Sequence, residues 1–268
     1  MSTVALNDIT IGYDDAGAGA NTLVLVHGHP FDRSMWQPQR DSVSRHGWRV
    51  IVPDLRGYGE TTVVPGKTTL DVFARDLERL LDHLGIDRVA IGGLSMGGQI
   101  VMEFCRLYPE RVVGVLLAAT FPRAETEAGK QTRYATADRL MGEGMASYAA
   151  ELLPKMVAAR TIETQPTVAD HVMRMMRHAP PAGAAAALRG RAERPPYEST
   201  LAALAVPALI VVGDEDAFTT RADADQMHAL VRGSELLWME GIGHMPNLEQ
   251  QDAFNAALAR FLDGIASR

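Results

Sequence analysis

Short, continuously apolar segments alternate with longer amphipathic segments along most of this chain of 268 residues. Largely apolar runs are typical of strands buried on both faces of a sheet, and they occur at 22–26, 48–52, 88–92, 112–118 and 206–212, with a further short strand predicted at 235–239. Apolar residues at three- and four-residue steps predict helices at 68–84, 96–108, 220–231 and 248–265. Residues 3–14 predict an opening hairpin. The alternation predicts an α/β fold, with a mostly parallel central sheet covered by helices on both faces.

One long segment interrupts this alternation. Residues 122–200 contain no good strand and show helical patterns at 125–158, 167–178 and 182–192. We interpret the segment as a helical cap that is inserted over the carboxyl edge of the sheet. The predicted core domain is therefore discontinuous and comprises residues 1–121 and 201–268.

Composition excludes several classes of function. Lys and Arg number 26 against 33 Asp and Glu, so the formal charge is −7, which argues against a phosphate-binding surface and a nucleic-acid partner. No apolar run reaches the roughly 18 residues that span a bilayer, and Met1–Val4 lacks the basic start of a signal peptide. Cys105 is the only cysteine, so no intramolecular disulfide can form. We expect a cytoplasmic protein without a membrane partner, and leave monomer and homodimer open.

The pentad Gly93-Leu94-Ser95-Met96-Gly97 follows a predicted buried strand and precedes a predicted helix. This is the context of a nucleophile elbow, in which a sharp turn exposes the serine and the flanking glycines allow strand and helix to approach closely. The pattern predicts Ser95 as a nucleophile. The alternative is an ordinary glycine-rich turn with an inert serine.

Acyl transfer by a serine requires two N–H donors for the oxygen that becomes negative. One donor follows the nucleophile, and here it is the backbone N–H of Met96. We expect the other in the segment His27-Gly28-His29-Pro30, which follows an earlier strand, and assign it to the backbone of His29. Pro30 has no N–H, and we assign no role to the His29 side chain.

The general base and its acidic partner are expected after the last two strands. His244 lies in the loop Gly241–Pro246, where a base can reach the serine oxygen. The acid is expected in Gly213-Asp214-Glu215-Asp216, and its spacing after the glycine favours Asp216, with Asp214 as the alternative. The order Ser95, Asp216, His244 is that of α/β-hydrolases and differs from two other known triad orders.

With these residues in place, the chain resembles the α/β-hydrolase superfamily over essentially its whole length. The motifs that resemble it are His27–Pro30 with Met35-Trp36, Asp54–Gly59, Gly93–Gly98 and Gly243–Asn247. They are similar to those of small esterases, 3-oxoadipate-type enol-lactonases and cofactor-free haloperoxidases or perhydrolases. The resemblance implies a catalytic domain with a helical cap and no metal or organic cofactor. It also supports Asp216 as the acid and His29 with Met96 as oxyanion donors.

The sequence therefore predicts a serine hydrolase that cleaves small carboxylic esters or lactones through an acyl-serine intermediate. Related enzymes with an Asp at the elbow, such as haloalkane dehalogenases, differ at Ser95. Perhydrolase activity is one alternative, because Pro30 directly follows the oxyanion residue as in perhydrolases. Thioesterase and C–C hydrolase activities use the same triad. A non-catalytic ligand receptor on the same fold is an alternative from a different class.

Overall fold

A single sheet of eight strands runs through the computed structural model, which describes residues 2–6 and 8–267. Asn7 of the predicted hairpin lies outside the described residues, as do Met1 and Arg268. The strands are β1 (Ser2–Leu6), β2 (Ile9–Ala16), β3 (Thr22–Val26), β4 (Arg49–Pro53), β5 (Val89–Leu94), β6 (Val112–Ala118), β7 (Ala208–Gly213) and β8 (Glu235–Met239). Their order is β1-β2-β4-β3-β5-β6-β7-β8. Strand β2 runs antiparallel to β1 and β4, and the other neighbouring pairs are parallel.

Helices cover both faces of this sheet, as the sequence predicted. On one face lie α2 (Leu70–His83), α3 (Met96–Leu107) and α10 (Arg221–Leu230), and on the other lie α1 (Gln37–Arg45) and α12 (Gln251–Ala266). Successive residues of β3 alternate between the two cores: Val24 and Val26 belong to the first, Leu23 and Leu25 to the second. Because every residue of this strand is buried, the apolar run in the sequence is continuous and not alternating.

Between β6 and β7 the described chain forms six helices and no strand. They are α4 (Glu127–Glu143), α5 (Ala146–Met156), α6 (Ala159–Thr164), α7 (Pro166–His178), α8 (Pro181–Ala192) and α9 (Glu198–Ala202). Helix α8 packs directly on backbone of the core. A Cβ atom at Gly183 would lie 1.9 Å from the carbonyl oxygen of Gly57, and one at Gly190 would lie 1.6 Å from that of Thr68. Only glycine allows this approach.

The structure differs from the predicted elements in several details, and α6 and α9 lie outside the predicted helical patterns. The single helix expected at 125–158 is divided at Gly144, which has a φ of 75° that interrupts the helix. The final helix is also divided, into α11 (Pro246–Glu249) and α12. Helix α1 was not predicted, because Val43 is its only buried apolar residue and no periodic pattern results. None of the described helices has the length and apolar character needed to cross a membrane.

The loop after β4 holds two buried charges, Asp54 and Arg56, that tie neighbouring turns together. Asp54 accepts hydrogen bonds from the N–H groups of Arg33 and Glu60 at 2.8 and 2.9 Å and also binds the Arg33 guanidinium. Arg56 binds Asp76 through two nitrogens, each at 2.8 Å. These groups stabilise the loop and do not line the cavity described below.

We expect Asp76→Ala to lower the free energy of unfolding by about 3 kcal/mol, because it leaves a buried guanidinium with reduced compensation. The side chains of Arg56 and Asp76 are each only 6% exposed. Asp8 also binds Arg56, at 2.7 Å, but is 59% exposed. Asp8→Ala is therefore the matched control, with an expected loss below about 1 kcal/mol. Urea unfolding followed by circular dichroism measures both, and equal losses would contradict the assignment.

Candidate active site

Ser95 occupies the sharp turn between β5 and α3. Its φ of 58° and ψ of −117° are unusual for a residue with a side chain, and such strain is common where function requires it. The flanking glycines make the turn possible. A Cβ atom at Gly93 would lie 2.3 Å from the carbonyl carbon of Gly97, and one at Gly97 would lie 2.2 Å from the carbonyl oxygen of Val26.

Hydrogen bonds from the end of β6 hold the backbone of this turn. The N–H of Ser95 donates to the carbonyl of Ala118 at 3.0 Å. Its carbonyl accepts from the Thr120 hydroxyl at 2.8 Å and from the N–H of Gln99 at 3.2 Å. Sequence reasoning did not single out Thr120. The Ser95 backbone is thus fixed on two sides while its residue stays partly exposed.

His244 and Asp216 are in direct contact although 28 residues separate them. The imidazole Nδ1 lies 2.9 Å from both carboxylate oxygens of Asp216, and the two side chains are 2% and 0% exposed. Backbone N–H groups of Phe218 and Thr219 also donate to Asp216, at 2.8 and 3.1 Å. Burial by itself would raise the pKa of Asp216, but His244 and these donors outweigh it and lower the pKa. An ionised Asp216 can only accept, so Nδ1 of His244 carries the proton between them, and in the neutral imidazole Nε2 is then an acceptor.

The alternative acid, Asp214, has a different position. It is exposed, and its Oδ1 accepts hydrogen bonds from the N–H groups of Gly241 and Ile242 at 2.7 and 3.3 Å. Asp214 therefore holds the start of the loop that contains His244, and it is Asp216 that contacts the imidazole.

Ser95 and His244 both line a cavity of about 170 Å³. Phe218 packs its ring edgewise on the imidazole, with the ring centroids 4.7 Å apart. Most of the wall comes from the part of the chain between β6 and β7, namely Phe121, Arg133, Tyr148, Leu152, Met156, Leu188 and Arg191. Larger, more open grooves elsewhere contain none of Ser95, Asp216 and His244. Within the described residues, no three His, Cys, Asp or Glu side chains are grouped to hold a metal ion.

The two predicted oxyanion donors lie on either side of the turn. Met96 is the first residue of α3, where the partial positive charge of a helix N-terminus favours an anion. The segment that contains His29 runs beside the serine, because a Cβ atom at Gly28 would lie 3.3 Å from the Cβ of Ser95. Within residues 2–6 and 8–267, the backbone N–H groups of Met96 and His29 donate to no protein acceptor.

The His29 side chain has contacts that the sequence did not indicate. Its Nδ1 lies 2.7 Å from the hydroxyl of Tyr58, and its Nε2 lies 3.2 Å from the hydroxyl of Tyr148, on α5. Burial, and then the charges of Arg191 and Arg133, lower the pKa of His29 well below its usual value. The imidazole is therefore neutral at pH 7 and connects the segment that contains His29 with α5.

Glu249 is a further residue that sequence reasoning missed. One carboxylate oxygen accepts from the N–H of Met245 at 3.0 Å, and the other accepts from the N–H of Ala158 at 2.8 Å and the hydroxyl of Thr161 at 2.7 Å. The N–H of His244 donates to the carbonyl of Met156 at 3.1 Å. These bonds attach the His244 loop to the inserted helices, and no local pattern could have revealed them because the partners are about 90 residues apart in sequence.

The fold and this cavity together define an α/β hydrolase. The family model described as "Alpha/beta hydrolase family" matches residues 23–257. This chain belongs to that family, and the predicted α/β-hydrolase fold is confirmed.

Relatives span nearly the whole chain. An esterase from Thermogutta terrifontis, solved with malate bound, is 36% identical with a TM-score of 0.94, and the match covers 98% of this chain and 97% of that one. The enol-lactonase from Burkholderia xenovorans LB400 is 27% identical with a TM-score of 0.90, covering 98% and 100%. The 3-oxoadipate enol-lactonase 2 of Acinetobacter baylyi is 28% identical over 95% of this chain and 92% of its own length. The chain is similar to esterases and enol-lactonases, as predicted.

Proposed function

We propose that this hydrolase cleaves carboxylic esters, lactones included, through an acyl intermediate on Ser95. The observation that supports this most is the buried contact between Asp216 and His244, together with the position of His244 in the cavity that Ser95 also lines. A histidine bound to a buried carboxylate, in the wall of a cavity that a partly exposed serine also lines, can act as the base that activates the hydroxyl as a nucleophile. The esterase and lactonase relatives support the substrate class.

In this mechanism His244 Nε2 accepts the proton of Ser95 Oγ while the oxygen attacks the carbonyl carbon of the ester. The N–H groups of His29 and Met96 stabilise the negative oxygen that forms. The bond to the alcohol then breaks, and the leaving oxygen takes the proton from His244. Water attacks the acyl-serine in the same way: His244 accepts its proton and returns it to Ser95 as the acid departs. Asp216 stabilises the imidazolium in both stages.

We further propose that residues 122–200 act as a cap over this site, because α5 and α8 supply part of the cavity wall. Of the six methionines that the sequence places in this segment, only Met156 lines the cavity. Met145, Met175 and Met176 are buried in packing contacts, and Met141 is 53% exposed. The cavity wall is therefore not made chiefly of methionines.

A fluorophosphonate probe tests the nucleophile directly, because it reacts with activated serines irrespective of the natural substrate. We expect one equivalent of label, located on Ser95 by mass spectrometry of the labelled peptide. His244→Ala should slow labelling by about 100-fold or more, since general-base assistance contributes 10²- to 10⁴-fold.

Ser234 offers a matched control, because its hydroxyl lies 2.8 Å from Nδ1 of another histidine, His228. This pair has no bond to a carboxylate among the described residues and lies outside the cavity. Ser234→Ala should leave labelling unchanged. Absence of label on Ser95 in the wild-type protein would contradict the proposal and favour a ligand receptor on this fold.

A further inference from the structure

Arg191 presents an unusual group to the cavity. It lies on α8, is 8% exposed and lines the same cavity as Ser95 and His244. The guanidinium makes one hydrogen bond within the described residues, from its Nε to Oε1 of Gln99 at 3.1 Å. No carboxylate in the described part of the chain lies within 4.0 Å of its nitrogens. A buried guanidinium normally has a carboxylate partner, because an unpaired buried charge is costly.

The neighbouring charges do not compensate Arg191. Arg133 and Arg194 both bind Glu125, the latter at 3.6 Å, so this carboxylate is engaged by two guanidinium groups other than that of Arg191. Burial, followed by repulsion from Arg133 and Arg194, lowers the pKa of Arg191 well below its usual value. Arg133, Arg191, Arg194 and Glu125 together carry a formal charge of +2 in a protein whose net charge is −7, and of these residues Arg133 and Arg191 line the cavity.

Gln99 orients this group. Its Oε1 accepts hydrogen bonds from Arg191 Nε and from Arg194 Nη1, the second at 3.3 Å. Because Nε is engaged with Gln99, the two Nη groups of Arg191 remain as a planar pair of donors. Such a pair matches the two oxygens of a carboxylate, with which arginine forms bidentate hydrogen bonds.

We propose that Arg191 binds a free carboxylate on the ester substrate, with Arg133 adding to the local positive charge and Gln99 positioning the guanidinium. The preferred substrates are then anionic esters that carry a carboxylate apart from the bond that is cleaved. This inference rests on the proposed esterase function of Ser95. It adds to that function a specificity-determining residue, supplied by the helices between β6 and β7.

Two pairs of esters test the proposal, each pair differing only by a carboxylate in place of a methyl group. Monomethyl glutarate and methyl pentanoate have the charge on the acyl side, whereas 4-acetoxybutanoate and butyl acetate have it on the alcohol side. The measured quantity is the ratio of kcat/KM for the anionic ester to that for its neutral counterpart, at pH 7.5. We expect a ratio well above one for at least one pair, and that pair identifies the side on which the carboxylate is bound.

Arg191→Met should lower this ratio about 10- to 150-fold, as expected for loss of hydrogen bonds to a charged group. Gln99→Glu is nearly isosteric and supplies Arg191 with an internal counter-ion, so it should lower the ratio as well, even if Arg191→Met folds poorly. Arg189→Gln is the matched control on the same helix. Arg189 binds Asp138 at 2.7 Å away from the cavity, and its removal should leave the ratio unchanged.

Fluorophosphonate labelling of Ser95 distinguishes a failure of the inference about Arg191 from a failure of the proposed esterase function. If wild-type Ser95 is labelled but neither anionic ester is preferred, the inference about Arg191 is wrong and the esterase function stands. Equal losses on both members of a pair in Arg191→Met and Gln99→Glu, with the ratio unchanged, would also overturn it. If Ser95 is not labelled, the proposed function itself fails.

Discussion

Ser95→Ala is expected to lower kcat/KM for a simple ester by about 10⁴-fold or more. Removal of the hydroxyl leaves no nucleophile, so only substrate binding and oxyanion stabilisation would remain, and these account for a small part of catalysis in serine hydrolases. Hydrolysis of methyl pentanoate, followed by acid release in a pH-stat, measures the effect. A variant that keeps more than a tenth of the wild-type rate would remove Ser95 from the mechanism.

The backbone of Ser95 provides a second readout of the same prediction. Its φ of 58° is unfavourable for any residue with a Cβ, at a cost of roughly 1–2 kcal/mol. Ser95→Gly should therefore be inactive and yet more stable than wild type, with a melting temperature higher by a few degrees. Ser95→Ala retains the Cβ and should show no such gain. An inactive Ser95→Gly that is less stable than Ser95→Ala would contradict the interpretation of strain.

The parts of the site that were predictable are those that a short segment specifies. The elbow around Ser95 needs a buried strand, two glycines and a following helix, all within about twenty residues, and each is visible in the sequence. The prediction of Asp216 rather than Asp214 as the acid also used a short segment, since it depended on the spacing after Gly213. The structure distinguishes the two acids by their partners: Asp216 contacts the imidazole, and Asp214 binds backbone of the next loop.

The parts that were not predictable depend on contacts between distant segments. Arg191 lies in an alanine-rich helix with no distinctive pattern, and its importance appears only when its lack of a carboxylate partner and its place in the cavity wall are known. Glu249 and Tyr148 likewise act through partners 88 or more residues away. The division of the long helix at Gly144 had a local sign in Gly142-Glu143-Gly144, but helical periodicity continued on both sides and concealed it.

Asp216→Asn should lower kcat about 10³- to 10⁴-fold at neutral pH while the site stays folded. An amide is close to isosteric with the carboxylate and can still accept from the N–H groups of Phe218 and Thr219. It carries no charge to stabilise the imidazolium, and its NH₂ group can turn His244 to the wrong tautomer, which has this magnitude of effect in other triads. Steady-state kinetics of the neutral esters and fluorophosphonate labelling rates measure the loss.

Asp216→Asn should also change the pH dependence of the free energy of unfolding. The pKa of Asp216 is lowered in the folded protein, so its carboxylate stabilises the fold above the ordinary aspartate pKa, and this contribution is lost as pH falls through the folded value. The difference in unfolding free energy between wild type and Asp216→Asn should therefore be present at pH 6–7 and shrink below about pH 4. Urea unfolding at several pH values measures this difference.

Asp214→Asn completes this prediction as a matched control two residues away. The amide keeps a carbonyl oxygen that can accept hydrogen bonds from the N–H groups of Gly241 and Ile242. Because Asp214 is exposed, loss of its charge should change the stability of the protein little. We expect less than about a tenfold effect on kcat. If the two variants lose equal activity, the carboxylate that orients His244 has not been identified. If Asp214→Asn loses far more, the sequence-based alternative acid is the functional one and the contact with Asp216 is structural.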